Sequence, residues 1–268
     1  MVPRTFMPST PSEIFASAAP YYARYQPHYP PELYESISEN FALNDARTAL
    51  DLGCGPGTLA LPLSRRVGRV IAVDPEPGML EQGKRLAALR HIDNIQWRQG
   101  DSAGLRALNL PPLDLCVMGR SFHWMSRAQV LTDLDLLITA QGGVVIASVQ
   151  PPDTEWARAV AEIRERYLLP AASGDNGTFP AQEESHREIL RRSPFPCVTE
   201  EHWTYRVDHT LDELIGIQFS HSSFTPARLG ARKDAFERDL RTALTQCRPQ
   251  GHFEDVIRVE ALMARRGR

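Results

Sequence analysis

The 268-residue chain predicts a doubly wound α/β domain, and three observations carry that prediction. Short β-rich runs alternate with amphipathic helical runs between residues 48 and 149, the order that makes parallel strands with right-handed crossovers. A glycine-rich turn, LDLGCGPGTL from Leu50 to Leu59, stands where the first strand ends and a helix begins. Acidic residues, Asp74 and Asp101, then follow the second and third strands.

The first eleven or so residues are rich in proline and small polar types and are expected to be mobile. From Ser12 to Phe41 the chain is aromatic and helical in character, with Pro30-Pro31 placed to start a helix on Leu33, Ile37 and Phe41. Strands are predicted at Thr48–Leu52, Val70–Asp74, Ile95–Arg98, Leu113–Met118 and Val144–Val149. One intervening helix places Met79, Leu80, Gly83, Leu86 and Ala87 on one face, and another uses Val130, Leu134, Leu137 and Ile138. Gly142-Gly143 is read as the left-handed pair that ends the second of these helices.

After Gln150 the alternation stops. Trp156–Leu169 reads as a helix, and Ala171–Glu184 as a loop or lid. Trp203, Tyr205 and Val207 alternate, a helix follows around Ala231–Thr245, and Ile257, Val259, Ala261 and Met263 alternate again. A late antiparallel pair at the edge of a parallel sheet accounts for these two runs.

Composition narrows the function. A net charge of −3 offers no basic footprint for nucleic acid, and the pairs Arg65-Arg66, Arg191-Arg192 and Arg265-Arg266 are short and scattered. No apolar run approaches the roughly 20 residues of a membrane helix, and the N-terminus has no apolar core like that of a signal peptide. Cys54, Cys116, Cys197 and Cys247 lie far apart without a CxxC pair, as expected of reduced thiols in a cytoplasmic protein. No HxxxH or paired acidic cluster suggests a metal, and Asp133 and Asp135 are assigned to a surface helix. Oligomeric state is not readable.

The turn carries the chemistry. Gly53, Gly55 and Gly57 at alternate positions let the backbone bend tightly and approach a ligand. A dinucleotide site needs a further glycine three residues after the second, and Thr58 stands there, which argues against a nicotinamide cofactor. Asp74 ends the strand VIAVD, where a carboxylate accepts both hydroxyls of a ribose; its helix-capping role beside Pro75 and Pro77 is the plainer alternative. Asp101 and Ser102 are positioned to read an adenine edge.

These three landmarks resemble motifs I, II and III of class I methyltransferases over about the first 150 residues. The segments GRSFHWM, Gly119 to Met125, and Tyr22…Pro27…Tyr29-Pro30 are similar to a small-molecule branch that includes trans-aconitate-type and natural-product methyltransferases. That resemblance implies a Rossmann-like, seven-stranded, mostly parallel sheet with an antiparallel edge strand and a helical cap. It implies S-adenosylmethionine as cofactor, with Gly53 and Gly55 along its methionine part and Asp74 and Pro75 at its ribose. Met79 would lie on adenine, Asp101 and Ser102 at its edge, Arg120 would offer its carbonyl to the methionine amino group, and Tyr22 would touch the cofactor. The branch commonly has YRP where this chain has Tyr25-Gln26-Pro27, and Gln26 supplies no cation for an acceptor carboxylate.

His123 and Trp124 follow the fourth strand, where doubly wound folds hold reacting groups. His123 is the candidate base, with a loop-orienting role as the alternative. Trp124 is a candidate wall of the acceptor site, and His221 in FSHSSFTP a second acceptor-facing histidine. Residues 1–45 are expected to cover the active site, 46–150 to bind the cofactor, and 151–268 to form the acceptor cover and last strands. The expected activity is methyl transfer to oxygen or nitrogen of a small molecule, such as an amino-sugar antibiotic intermediate. A nicotinamide oxidoreductase and a catalytically silent S-adenosylmethionine-binding protein are the rival readings.

Overall fold

The computed structural model describes residues 11–168 and 184–267, with side chains from residue 16 onward. The expectations for the N-terminal residues and for nearly all of Ala171–Glu184 lie outside the described residues. The described strands form one seven-stranded sheet in the order β3-β2-β1-β4-β5-β7-β6. Strands β1 (Thr48–Leu52), β2 (Arg69–Asp74), β3 (Ile95–Gln99), β4 (Leu113–Gly119) and β5 (Ile138–Val149) run parallel. The edge pair is antiparallel: β7 (His252–Arg265) runs against β5, and β6 (Cys197–Thr210) runs against β7.

The inner strands are apolar on both faces because helices cover both. On one face, α2 (Pro31–Phe41), α3 (Ala60–Leu63) and α4 (Pro77–Leu89) bury Leu33, Ile37, Phe41, Leu63 and Leu80 against Ala49, Val70, Val117 and Val145. On the other, α5 (Arg127–Asp135) and α7 (His186–Arg191) bury Val130, Leu134 and Leu190 against Leu50, Ile71, Cys116 and Val144. A third core lies in the inserted segments. There α6 (Glu155–Tyr167), α8 (Leu211–Ser220), α9 (Pro226–Leu229) and α10 (Lys233–Cys247) gather Trp156, Val160, Phe219, Phe236 and Leu240. The first helix, α1 (Pro11–Tyr25), packs against both α4 and α8, tying the sheet to the cap.

The region after α5 departs from the sequence reading. The helix ends at Asp135, and Ile138 opens β5 instead of continuing the helical stripe. Gly142 and Gly143 are strand residues with no left-handed backbone. They are small because neighbours come close: a Cβ on Gly142 would meet the Asp114 carbonyl oxygen, and one on Gly143 that of Ala264. Asp133 is 4% exposed and bound by Arg106 Nε at 2.6 Å, so it is not a surface residue of its helix. Asp135 pairs with Arg266 at 2.7 Å.

Register decides where the site lies. β5 follows β7 from Gly143↔Arg265 to Val149↔Val259, whereas β6 follows it on to Thr210↔His252. The first half of β7 therefore overhangs the carboxyl end of the parallel strands, and the cap closes over the overhang.

Candidate active site

The chain order of the sheet reverses between β1 and β4, and ligands of such sheets bind in the crevice beyond the strand ends there. The turn after β1 holds Gly53, Gly55 and Gly57 at φ of 70°, 53° and 86°, a region that favours glycine. The N–H groups of Gly53 and Cys54 donate to the Val73 carbonyl at 2.8 and 3.0 Å, fixing the turn to β2. The three glycines differ in what surrounds them. A Cβ on Gly53 would come 2.5 Å from that of Ser121, and one on Gly57 2.6 Å from the Trp97 ring. Gly55 meets only the Tyr22 ring, at 3.8 Å, so the middle glycine is the one with open space beside it.

Asp74 lies against this opening. Its Oδ2 accepts from the Gly55 N–H at 2.8 Å and its Oδ1 from the Glu76 N–H at 2.9 Å, which leaves each oxygen further lone pairs. Burial raises its carboxyl pKa, while the two N–H groups oppose that rise. The cap of α4 is Glu76, whose Oε1 accepts from the Gly78 N–H at 3.2 Å, so Asp74 does not fill that role. Met79 is buried on α4, and Pro75 is exposed with its carbonyl accepting from Gln99. The Gly100 N–H donates to the Asp74 carbonyl at 3.1 Å, bringing the loop of Asp101 and Ser102 to the end of β2. Asp101 is exposed and accepts from the Gly104 N–H at 2.7 Å through one oxygen. Beneath the turn, burial pushes the Asp51 carboxyl up to about 8, and its Oδ1 has no partner among the described residues.

Arg120 follows β4 in a left-handed conformation, φ 54°. Its guanidinium lies 5.3 Å from the centre of the Tyr22 ring and 5.7 Å from that of Tyr29, and it donates to Gln26 Oε1. Gln26 in turn donates to Ser220 Oγ at 2.5 Å. Gln26 thus brings no cation of its own but holds one that arrives from β4. The family resemblance calls only on the Arg120 carbonyl, not on this side chain.

Arg120 also borders a cavity of about 440 Å³ under the cap. Its walls are Val149–Pro152 after β5, Trp156, Val160 and Arg164 of α6, Leu214, Gln218 and His221 around α8, and His209, Asp255 and Ile257 on the overhang. Four buried side-chain polar atoms lack a partner among the described residues, and three of them, Arg120 Nε, Arg164 Nε and Gln218 Oε1, belong to residues that line this cavity. The fourth is Asp51 Oδ1 under the glycine turn. Buried polar atoms in native proteins are almost always satisfied, so their concentration in side chains around this cavity is unusual.

Of the residues expected at the acceptor, His221 lines the cavity, whereas His123 and Trp124 are not among its lining residues. His123 sits in a short turn after β4, its ring 5.2 Å from that of Trp124, and burial followed by Arg127 lowers its pKa. Burial, then Arg164 and Arg120, lower His221 to about 3, so its imidazole is neutral near pH 7. Arg164, Gln218 and Asp255 were missed, although two left a signal. Arg164 falls one turn after Val160 on the buried stripe of α6, and Asp255 alternates in phase with buried Phe253 and Ile257. Among the described residues, one carboxylate–imidazole trio within metal-ligand reach, Glu200, His202 and Glu260, lies on β6 and β7, with Glu200 already paired to Arg187 at 2.6 Å.

Comparison with known proteins bears on this geometry. Residues 49–142 match the family model described as a methyltransferase domain. An uncharacterised methyltransferase of Schizosaccharomyces pombe is 25% identical over 147 residues, 54% of this chain and 56% of that protein. Trans-aconitate 2-methyltransferase of an Azoarcus species is 30% identical over 147 residues, 49% of this chain and 54% of that enzyme. The chain thus spans about half the length of these two curated relatives. The fold matches a solved structure from Anaeromyxobacter dehalogenans assigned as a type II methyltransferase. That match has TM-score 0.60 and 21% identity, and it covers 90% of this chain and 97% of the other. An S-adenosylmethionine-dependent methyltransferase from Thiobacillus denitrificans, solved with S-adenosylhomocysteine, matches with TM-score 0.50 and 19% identity. It covers 98% of this chain and 99% of its own. Residues 49–142 thus carry a methyltransferase domain, and the sheet as a whole has the Rossmann-like fold of these solved methyltransferases.

Proposed function

We propose that this protein transfers a methyl group from S-adenosylmethionine to an oxygen or nitrogen of a small molecule held under the cap. The observation that carries the reading is Arg120, whose side chain stands between the Tyr22 side of the glycine turn and the cavity. The cofactor's residues fit: the open flank of Gly55 admits a ligand, and Asp74 keeps free lone pairs for ribose hydroxyls. In this reading Gly53 and Gly55 lie along the methionine part, with Tyr22 above it and the Arg120 carbonyl at its amino group. Asp74 and Pro75 face the ribose, Met79 packs on adenine, and Asp101 and Ser102 bond its edge. The cofactor supplies an electrophilic methyl group on a sulfonium, and the protein's part is alignment, exclusion of water and removal of the acceptor's proton.

We assign the proton to His221, because its imidazole borders the cavity, with His123 in the loop after β4 as the second candidate. Trp156 and Ile257 then form apolar walls, and His123 and Trp124 belong to the loop beside the site. Pockets of some 300–1,000 Å³ hold drug-sized ligands, and a volume near 440 Å³ suits an acceptor in the lower part of that range. The resemblance of the Gly119–Met125 and Tyr22–Pro30 segments to natural-product methyltransferases supports a secondary metabolite as acceptor. The cysteines, all free, support a cytoplasmic setting. No described helix is long and apolar enough to cross a membrane.

The test is a titration of S-adenosylhomocysteine by calorimetry, followed by transfer of radiolabelled methyl to candidate acceptors. Binding with turnover supports the reading. Binding without turnover on any acceptor favours the silent binding protein, and absence of binding removes the proposal.

A further inference from the structure

Among the described residues, Arg164 has no counterion. Its guanidinium forms no hydrogen bond or ion pair with any described residue, its Nε is fully buried, and its one described side-chain contact of note is the Phe224 ring at 5.4 Å. Burial alone lowers its pKa to about 10. Ionised groups at a cavity wall are usually paired, and a ligand anion would pair this one. The acid of the cavity does not do so. Asp255 acts on His209 and Tyr205, not on Arg164. Arg120 cannot replace it, since that guanidinium already donates to Gln26 and Pro27. His221, between these two arginines in charge terms, is neutral and compensates neither.

Gln218 adds a second requirement. Its Nε2 donates to the Leu214 carbonyl at 2.9 Å, which assigns Oε1 as a buried acceptor with no donor. Among the described residues, the cavity therefore offers no anion to Arg164 and no hydrogen-bond donor to Gln218 Oε1, with Trp156 and Ile257 as apolar parts of its wall.

We infer that the acceptor is a small organic acid bearing a hydroxyl or amine, its carboxylate bound by the Arg164 guanidinium and its donor group by Gln218. The inference rests on the methyltransferase reading for the word acceptor, but its binding claim stands apart from turnover. A planar carboxylate matches the forked N–H donors of arginine. Neutralising Arg164 in this way also removes one of the positive charges that depress the His221 imidazole, so binding would bring the base nearer its working range.

The experiment uses the full chain saturated with S-adenosylhomocysteine, with calorimetry of matched acids and amides: mandelate and mandelamide, salicylate and salicylamide, phenylalanine and phenylalaninamide. At least one acid should bind, about 10–100-fold tighter than its amide, the scale of a charge-assisted hydrogen bond. In Arg164→Gln that preference should vanish while amide affinity and S-adenosylhomocysteine affinity stay as in the wild type. Arg164→Lys should restore part of it. If every amide binds as well as its acid, if no acid binds, or if Arg164→Gln keeps the preference, the inference is overturned. Should Arg164→Gln fail to fold, the wild-type comparison of acids with amides still decides. Failure of S-adenosylhomocysteine itself to bind overturns the methyltransferase reading instead, and the acid–amide comparison in the free protein then judges the anion site separately.

Discussion

Asp74 spends one acceptor site of each oxygen on the backbone and keeps others for a ligand, so two losses follow from its removal. Asp74→Ala should weaken S-adenosylhomocysteine binding by about 1.5–3 kcal/mol, the scale of a hydrogen bond to a charged group. It should also lower the melting temperature of the free protein, because the Gly55 and Glu76 N–H groups lose their acceptor. Calorimetry and a thermal melt check the two parts, and unchanged affinity removes Asp74 from the ribose. His221 makes a prediction of opposite chemistry. Its folded pKa is about 3 against 6.5 in the unfolded chain, so between those values the unfolded chain binds a proton that the folded one excludes. The free protein should therefore lose stability as pH falls from 6.5 towards 3, and His221→Gln should show a shallower loss over that window. The same residue decides the proton. If His221 is the base, the acidic limb of the pH–rate profile should persist in His123→Asn and disappear in His221→Asn. The reverse pattern returns the role to His123.

At the scale of elements, the packing of β5 on β7 sets the cavity, and Gly143 sets that packing. A side chain at 143 would run into the Ala264 carbonyl and the Phe41 ring. Gly143→Ala should cost about 1–3 kcal/mol, as overpacking does, read as a lower denaturation midpoint. A midpoint equal to that of the wild type would mean that β7 yields easily. The helix stripe read through Leu137 and Ile138 failed because apolar residues at short spacing suit a strand as well as a helix. Length and packing on β4 and β7 chose the strand. By contrast, Pro31, Ile37 and Phe41 were sufficient to place α2, whose structure begins at Pro31 and ends at Phe41. Arg164 shows the limit of stripe reading: its position on the buried face of α6 is visible in sequence, but a cation there is equally a snorkelling side chain until its surroundings are known.

At the scale of the molecule, α1 joins the two functional halves, touching α4 beside the glycine turn and α8 beside the cavity. Cofactor binding should therefore order α1 and α8 together. Hydrogen exchange with saturating S-adenosylhomocysteine should slow in Pro11–Tyr25 and at the end of α8, with little change in α10, which packs away from the turn. Slowing confined to the residues around Gly55 would show that the cap is indifferent to the cofactor. Ligand at a hundred times its dissociation constant should also raise stability by about 2.7 kcal/mol by mass action.

By itself the sequence determined the parallel core, the glycine turn and the order of acidic landmarks, since each depends on local periodicity or on a backbone that only glycine adopts readily. It also singled out His221 in the insertion, which lines the cavity under the cap. Only the tertiary structure decided that Gln26 holds the Arg120 side chain at the edge of the cavity, that Asp255 and Arg164 share that cavity, and that His123 is not among its lining residues. Those facts depend on contacts between residues 26 and 120, or 164 and 255, that are distant in the chain. Such contacts are set by strand register and by the closing of the cap on the overhang of β7, and neither leaves a local pattern in the residues that meet.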